Sequence, residues 1–135
     1  MLDVADTLAI HQLLALYGHL IDERQWSRLD EVFTDDLVFD ATDFGLGVTH
    51  SLDELREAWT GPKAAHPLGH HATNIVVTED ADGTVRVLSK VVGVGNKGRV
   101  GSGTYRDVVV KTPQGWRLAS RTVTLRHPDR IPEPS

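Results

Sequence analysis

Two adjacent histidines, His70 and His71, open a stretch that otherwise reads as a buried strand: GHHATNIVV, Gly69 to Val77. Imidazole is the side chain whose ordinary pKa lets it exchange a proton near neutral pH, so a histidine at the mouth of an apolar strand is a candidate general base. Alternation along an extended chain sends His70, Ala72, Asn74 and Val76 to one face and His71, Thr73, Ile75 and Val77 to the other. The first set joins a titratable ring to a small residue and an amide, which suits a pocket wall. A carboxylate able to hold that ring stands at Asp22, where the apolar stripe of an N-terminal segment ends, and Tyr17 lies on the stripe itself. An Asp22–His70 hydrogen bond would fix the imidazole tautomer and leave the second ring nitrogen free to accept a proton. Burial would lower the histidine pKa and the carboxylate would raise it.

Other chemistries fit less well. The chain has no cysteine, which removes disulfides, thiol nucleophiles and thiolate metal sites and fits a reducing compartment. His66, His70 and His71 do not have the spacing of a known metal motif, so no metal and no cofactor is expected. His66, His71 and His50 read as loop or surface positions. The glycines at 93, 95, 98, 101 and 103 precede a strand rather than a helix, so they suit hairpins and bends of a curved sheet better than a phosphate cradle.

The elements that must position these groups follow from periodicity. Val4, Leu8, Leu13, Leu14, Tyr17, Leu20 and Ile21 recur at helical spacing, which predicts an amphipathic helix over about 4–22 capped by Asp3 or Asp6. A second short helix is expected at Trp26–Phe33, a β-segment at Leu37–Thr42, a loop over 43–49, and a third helix from the capping pattern Ser51-Leu-Asp-Glu54 to about Trp59. Four β-rich segments then run His70–Thr78, Thr84–Val94, Thr104–Lys111 and Trp116–Arg126, separated by Asp/Gly/Asn/Pro turns. Short connections imply antiparallel hairpins. The expected fold is therefore α+β: three N-terminal helices on a curved, mostly antiparallel sheet, a cone-shaped half-barrel enclosing a pocket. One domain over residues 1–126 is expected, with an irregular tail over 127–135.

The 135-residue length suits one core. A net charge of −5 without a basic stripe argues against nucleic acid or an anionic membrane as partner. No run of about 18 apolar residues predicts a membrane span, and the acidic N-terminal residues do not resemble a secretory leader, so the expectation is cytoplasmic. Ile75 and Val77 on the outer face of the meander would need cover, which points to a homodimer or homotrimer.

The same residues carry a family resemblance. YGHLID, Tyr17 to Asp22, is followed by Trp26, Leu29, Phe33 and the TDD of 34–36. Then come HHATN from His70 to Asn74, GTY from Gly103 to Tyr105, GWR from Gly115 to Arg117, and Arg121. In order and spacing, from about Ala5 to Val123, this resembles the SnoaL-like group of the nuclear transport factor 2-like superfamily. That resemblance implies a cone-shaped α+β barrel with a deep pocket, in a group that includes scytalone dehydratase, lindane dehydrochlorinase and bile-acid 7α-dehydratase. It implies a catalytic Asp22–His70 dyad for proton abstraction, with Tyr17 hydrogen-bonding a substrate carbonyl. Trp26, Phe33, Phe39, Trp59, Asn74, Tyr105 and Arg121 would shape the substrate pocket. The expected function is a cofactor-free lyase or isomerase, acting by dehydration or double-bond isomerisation on a hydrophobic cyclic small molecule such as a steroid or polyketide. The alternative is a non-catalytic binding or subunit-forming protein of the same fold. Two scytalone dehydratase residues have no counterpart: a second histidine falls where KVVGV occupies Lys90 to Val94, and a tyrosine falls at Ile21. Ketosteroid isomerases of this fold use an aspartate base further along the chain, for which Asp40 and Asp107 are the candidates.

Overall fold

A computed structural model describes residues 1–135. Helix α1 spans Val4–Asp22 and starts at a reciprocal capping box: the Asp6 N–H donates to Asp3 Oδ1 at 2.7 Å and the Asp3 N–H to Asp6 Oδ2 at 3.3 Å. Its buried stripe is Ile10, Leu13, Leu14, Tyr17, Leu20 and Ile21. Val4 and Leu8, expected on that stripe, face outward near the start of the helix. There Asp6 accepts from Lys111 Nζ and Trp116 Nε1, both at 3.0 Å. By length and hydropathy α1 could cross a bilayer, but its apolar stripe belongs to the central core cluster.

The expected second helix is a single 3-10 segment, Trp26–Glu31, that buries Leu29 alone. Phe33 leaves it to begin β1, Phe33–Asp40, four residues earlier than expected, because Phe33 pairs in parallel register with Leu118 of the last strand. After a 3-10 turn at Thr42–Phe44, the two-residue β2, Val48–Thr49, folds back on β1. Helix α2, Leu52–Thr60, is capped by Ser51 Oγ accepting from the Glu54 N–H at 3.1 Å.

The second half is the expected meander: β3 (Gly69–Glu79), β4 (Val85–Val94), β5 (Val100–Thr112) and β6 (Gly115–Leu125), each antiparallel to the next. The sheet order is β2-β1-β6-β5-β4-β3, so β1 joins by its parallel pairing with β6. The fold is α+β, a curved and unclosed sheet whose concave face is covered by α1 and α2. The tail carries one 3-10 turn, Pro128–Arg130, tied to the body by an Arg130–Asp43 ion pair at 2.6 Å.

One irregularity changes which residues face inward. Between Thr73 and Val76 the β3–β4 register slips by one residue, and Asn74 takes a left-handed φ of 55°. Such a bulge swaps the faces beyond it. His70 and Ala72 therefore face inward, but so do Ile75 and Val77, which pack against the core, while Asn74 and Val76 face solvent. The expected outward placement of Ile75 and Val77 is corrected; the exposed apolar pair is Val76 opposite Leu88.

Candidate active site

Asp22 is the last residue of α1 and His70 the second of β3, and the helix end lies directly on the strand start. The Asp22 carboxylate is held twice by one residue. Nδ1 of His70 lies 2.7 Å from Oδ1, and the His70 main-chain N–H donates to both oxygens, at 3.1 and 3.0 Å. A carboxylate accepts and does not donate, so the ring carries its proton on Nδ1 and leaves Nε2 as a lone-pair acceptor. Both side chains are about four-fifths shielded, with 15% and 19% exposure for His70 and Asp22. Burial pulls the His70 pKa below its ordinary value and outweighs the opposing pull of Asp22, so the ring is held in the neutral form that can accept a proton.

His70 lines a cavity of about 760 Å³ between the helices and the concave sheet. That is ample for a ring-sized ligand, since small-molecule pockets run to about 300–1,000 Å³. Its walls are largely apolar: Ile21, Leu55, Val91, Val123, Phe39 and Trp59. Tyr17 and Tyr105 supply the deep polar atoms. Tyr17 meets His70, Trp59 and Tyr105 edge to face, with ring centroids 6.2, 6.4 and 5.9 Å apart. Burial raises the pKa of both phenols, which keeps them protonated hydrogen-bond donors.

Behind the tyrosines lies a fully buried ion pair. Arg121 Nε and Nη2 donate to Asp107 Oδ1 and Oδ2 at 2.7 and 2.8 Å, with neither side chain exposed. The guanidinium carbon sits 4.3 Å from the Tyr17 ring centre and 3.7 Å from that of Tyr105, so the cation lies against both rings, which stand nearly perpendicular to each other. Arg121 Nη1 has no partner. Both Asp107 oxygens are occupied, and Asp40 caps the Thr42 N–H at 3.0 Å outside the cavity, so neither stands as a free base in the pocket.

Of the expected pocket residues, Phe39, Trp59 and Tyr105 line the cavity and four do not. Phe33 is core, packed edge to face behind Tyr17 and Phe39 because β1 starts early and turns it into the centre. Trp26 backs Trp59 and His66 from outside the wall. Asn74 is turned to solvent by the bulge. Arg121 is withdrawn into its ion pair, one layer behind the surface.

Sequence reading missed His66 and Arg24. His66 is half-buried in the cavity wall, its ring 4.9 Å from that of Trp26 and its Nε2 donating to the Trp59 carbonyl at 2.9 Å. Arg24, in a left-handed conformation at φ 55°, donates to the carbonyls of Ile21 and Pro67 at 2.8 and 3.2 Å. It straps the end of α1 to the loop that delivers His70. Neither had a local signal: the aromatic partners of His66, Trp26 and Trp59, are neighbours in space and not in the KAAHPL stretch, and the Arg24 strap joins residues 43 apart in sequence.

A SnoaL-like domain profile matches residues 3–122, nearly the whole chain. The chain belongs to the SnoaL-like domain family. The uncharacterised protein Rv2910c of Mycobacterium tuberculosis is 32% identical over 130 residues, covering 90% of this chain and 86% of that one. A solved structure provisionally named as an aromatic ring hydroxylase of Novosphingobium aromaticivorans shares 32% identity, with a TM-score of 0.76 over 95% of this chain and 94% of its own. A provisionally named scytalone dehydratase of the same organism shares 21% identity, with a TM-score of 0.70 over 92% and 86%, a likeness of fold. SnoaL-like membership thus fits the cone-shaped architecture.

Proposed function

We propose that this SnoaL-like protein is a cofactor-free lyase or isomerase that uses His70 as general base, oriented by Asp22, on a hydrophobic cyclic small molecule of steroid or polyketide type. The observation that carries the reading is the 2.7 Å Nδ1–Oδ1 contact on a ring that lines a 760 Å³ apolar cavity. His70 Nε2 takes a proton from carbon next to a carbonyl. The C–H electron pair becomes a carbon–carbon double bond, and the carbonyl oxygen gathers charge as an enolate. The Tyr17 hydroxyl, kept protonated by burial, donates to that oxygen. In a dehydration, the β-hydroxyl departs with the proton held by His70, releasing water and restoring the base. In an isomerisation, His70 returns the same proton to a different carbon. Both cycles are redox-neutral and need one proton carrier. A base of this kind contributes roughly 10²–10⁴-fold.

The absence of cysteine supports a reducing, cytoplasmic setting. A homodimer or homotrimer goes with the reading, supported by the exposed Val76–Leu88 pair on the convex face, and sedimentation analysis tests it.

The deciding experiment is an NMR titration of His70 in the wild type and in Asp22→Asn. A lower His70 pKa in the variant supports the dyad. An unmoved titration overturns it and leaves the alternative, a binding or subunit-forming protein that has the cavity without the coupling. A screen of β-hydroxyketones and unsaturated ketones for water loss or bond migration, with His70→Ala as blank, then identifies the reaction.

A further inference from the structure

The basic side chains are distributed unevenly. The chain carries 14 Lys and Arg, and only Lys63, Lys97, Arg99 and Arg126 make no hydrogen bond or ion pair through their side chains. All four stand at the same end of the molecule, around the cavity mouth. Lys63 and Arg99 are themselves wall residues. Lys97 sits in the Gly95–Gly98 turn beside Arg99, and Arg126 follows wall residue Leu125, its N–H donating to the carbonyl of wall residue Ser102. The wall holds one carboxylate, Glu57, and the nearby Asp43 is already neutralised by Arg130. Of the basic residues without an ion pair, Arg24, Lys90, Arg106 and Arg117 are tied to neutral acceptors, and the four with no partner at all stand at the entrance of an apolar cavity in a chain of net charge −5. Clustered charge of one sign at a cleft raises the local concentration of ligands of the other sign.

The wall between these cations and the deep site is made of glycine. Gly93 and Gly101 face each other across β4 and β5, and a Cβ added to either meets nothing within 4 Å. Beyond Val91, which lines the wall next to the tyrosine level, an elongated ligand can therefore reach the mouth past the Gly93–Gly101 pair without meeting a side chain from either.

We infer that the ligand is a hydrophobic carboxylic acid, its ring body in the cavity and its carboxylate at the mouth between Arg99 and Lys63. This rests on the reading of the cavity as a ligand site and adds the chemistry of the ligand's outer end. The orientation follows: the acid group faces solvent and the reacting carbon lies at His70, so the chemistry occurs at the end remote from the charge.

Two fluorescent probes of one shape test it, pyrenebutyrate and its neutral counterpart pyrenebutanol, with binding read by quenching of Trp59. The acid should bind about tenfold more tightly than the alcohol, the scale of two part-exposed charge contacts, and the margin should shrink in roughly 1 M salt. Lys63→Gln with Arg99→Gln should remove that margin, costing the acid about tenfold more affinity than the alcohol. Arg86→Gln with Arg106→Gln, which alters net charge equally away from the mouth, should leave both probes unchanged. Equal binding of the two probes by the wild type overturns the inference while sparing the cavity reading, as does an equal loss for acid and alcohol in the mouth variant or the same loss in the control variant. Binding of neither probe overturns the cavity reading and the inference together.

Discussion

Gly18 and His70 meet backbone to backbone: a Cβ built on Gly18 would lie 2.8 Å from the His70 carbonyl oxygen. The close approach is what lets the end of α1 bring Asp22 onto the first residues of β3. A mid-helix glycine ordinarily costs about 0.5–1 kcal/mol against alanine, so its presence here answers to packing rather than to helix propensity. Gly18→Ala should therefore destabilise despite the better helix former. Overpacking costs of roughly 1–3 kcal/mol outweigh the propensity gain, for a net loss of up to about 2.5 kcal/mol in urea unfolding. The amide of His70 should shift in NMR spectra as its bonds to Asp22 lengthen. Stability equal to wild type with unmoved shifts would refute the contact.

Protonation of His70 should weaken the fold. Burial first, and against it the Asp22 carboxylate, set a folded pKa below the ordinary 6.5. Between the folded value and 6.5 the unfolded chain binds more protons than the native one, so stability falls as pH drops through that window and is constant with respect to this group above it. Urea midpoints between pH 7.5 and 5 should show the decline. His70→Gln should flatten that part of the profile, and Asp22→Asn should deepen the decline by removing the influence that raises the pKa. A His70→Gln profile with the wild-type slope would assign the effect elsewhere.

The Asp107–Arg121 pair should be costly to break and cheap to replace. Arg121→Met alone leaves a buried carboxylate without a partner, and Asp107→Leu alone leaves a buried guanidinium; each should cost about 3–5 kcal/mol. The double variant should recover most of that loss. The recovery is measured as a coupling energy in a double-mutant cycle. Additive losses would show that the two groups act separately.

Asn74 should respond as a bulge residue and not as a pocket residue. Its left-handed φ of 55° is open to glycine without strain, so Asn74→Gly should be neutral or slightly stabilising. Asn74→Val should cost about 1–2 kcal/mol, because a β-branched side chain resists that conformation. Neither should alter pyrenebutanol binding, since the residue lies outside the cavity. A binding defect in the glycine variant would contradict its placement.

Much of the frame was legible from local chemistry. Asp3 and Asp6 announce the start of α1, Ser51 and Glu54 that of α2, and the Asp80–Gly83, Gly95–Gly98 and Thr112–Gly115 turns mark three hairpins that recur in the meander. These signals act between residues a few positions apart, so sequence carries them whole. The pairing of residue types in Asp22 and His70 was also visible, through the end of one apolar stripe and the start of another.

What sequence could not carry was register. Counted back from the Thr112–Gly115 turn, Ser120 would stand opposite Asp107, and the one-residue slip between Val108 and Val109 puts Arg121 there instead. The bulge at Asn74 likewise exchanges Asn74 for Ile75 on the concave face. A slip of one residue has no periodic signature, yet it inverts every side chain beyond it. The parallel seating of β1 on β6, which draws Phe33 out of a helix and into the core, is set by contacts some 80 residues apart. The local sequence determined the capped helices, the hairpins and the kinds of side chain available for chemistry. The tertiary structure decided which of them share the cavity, because only packing fixes where a strand shifts by one residue and where two backbones touch.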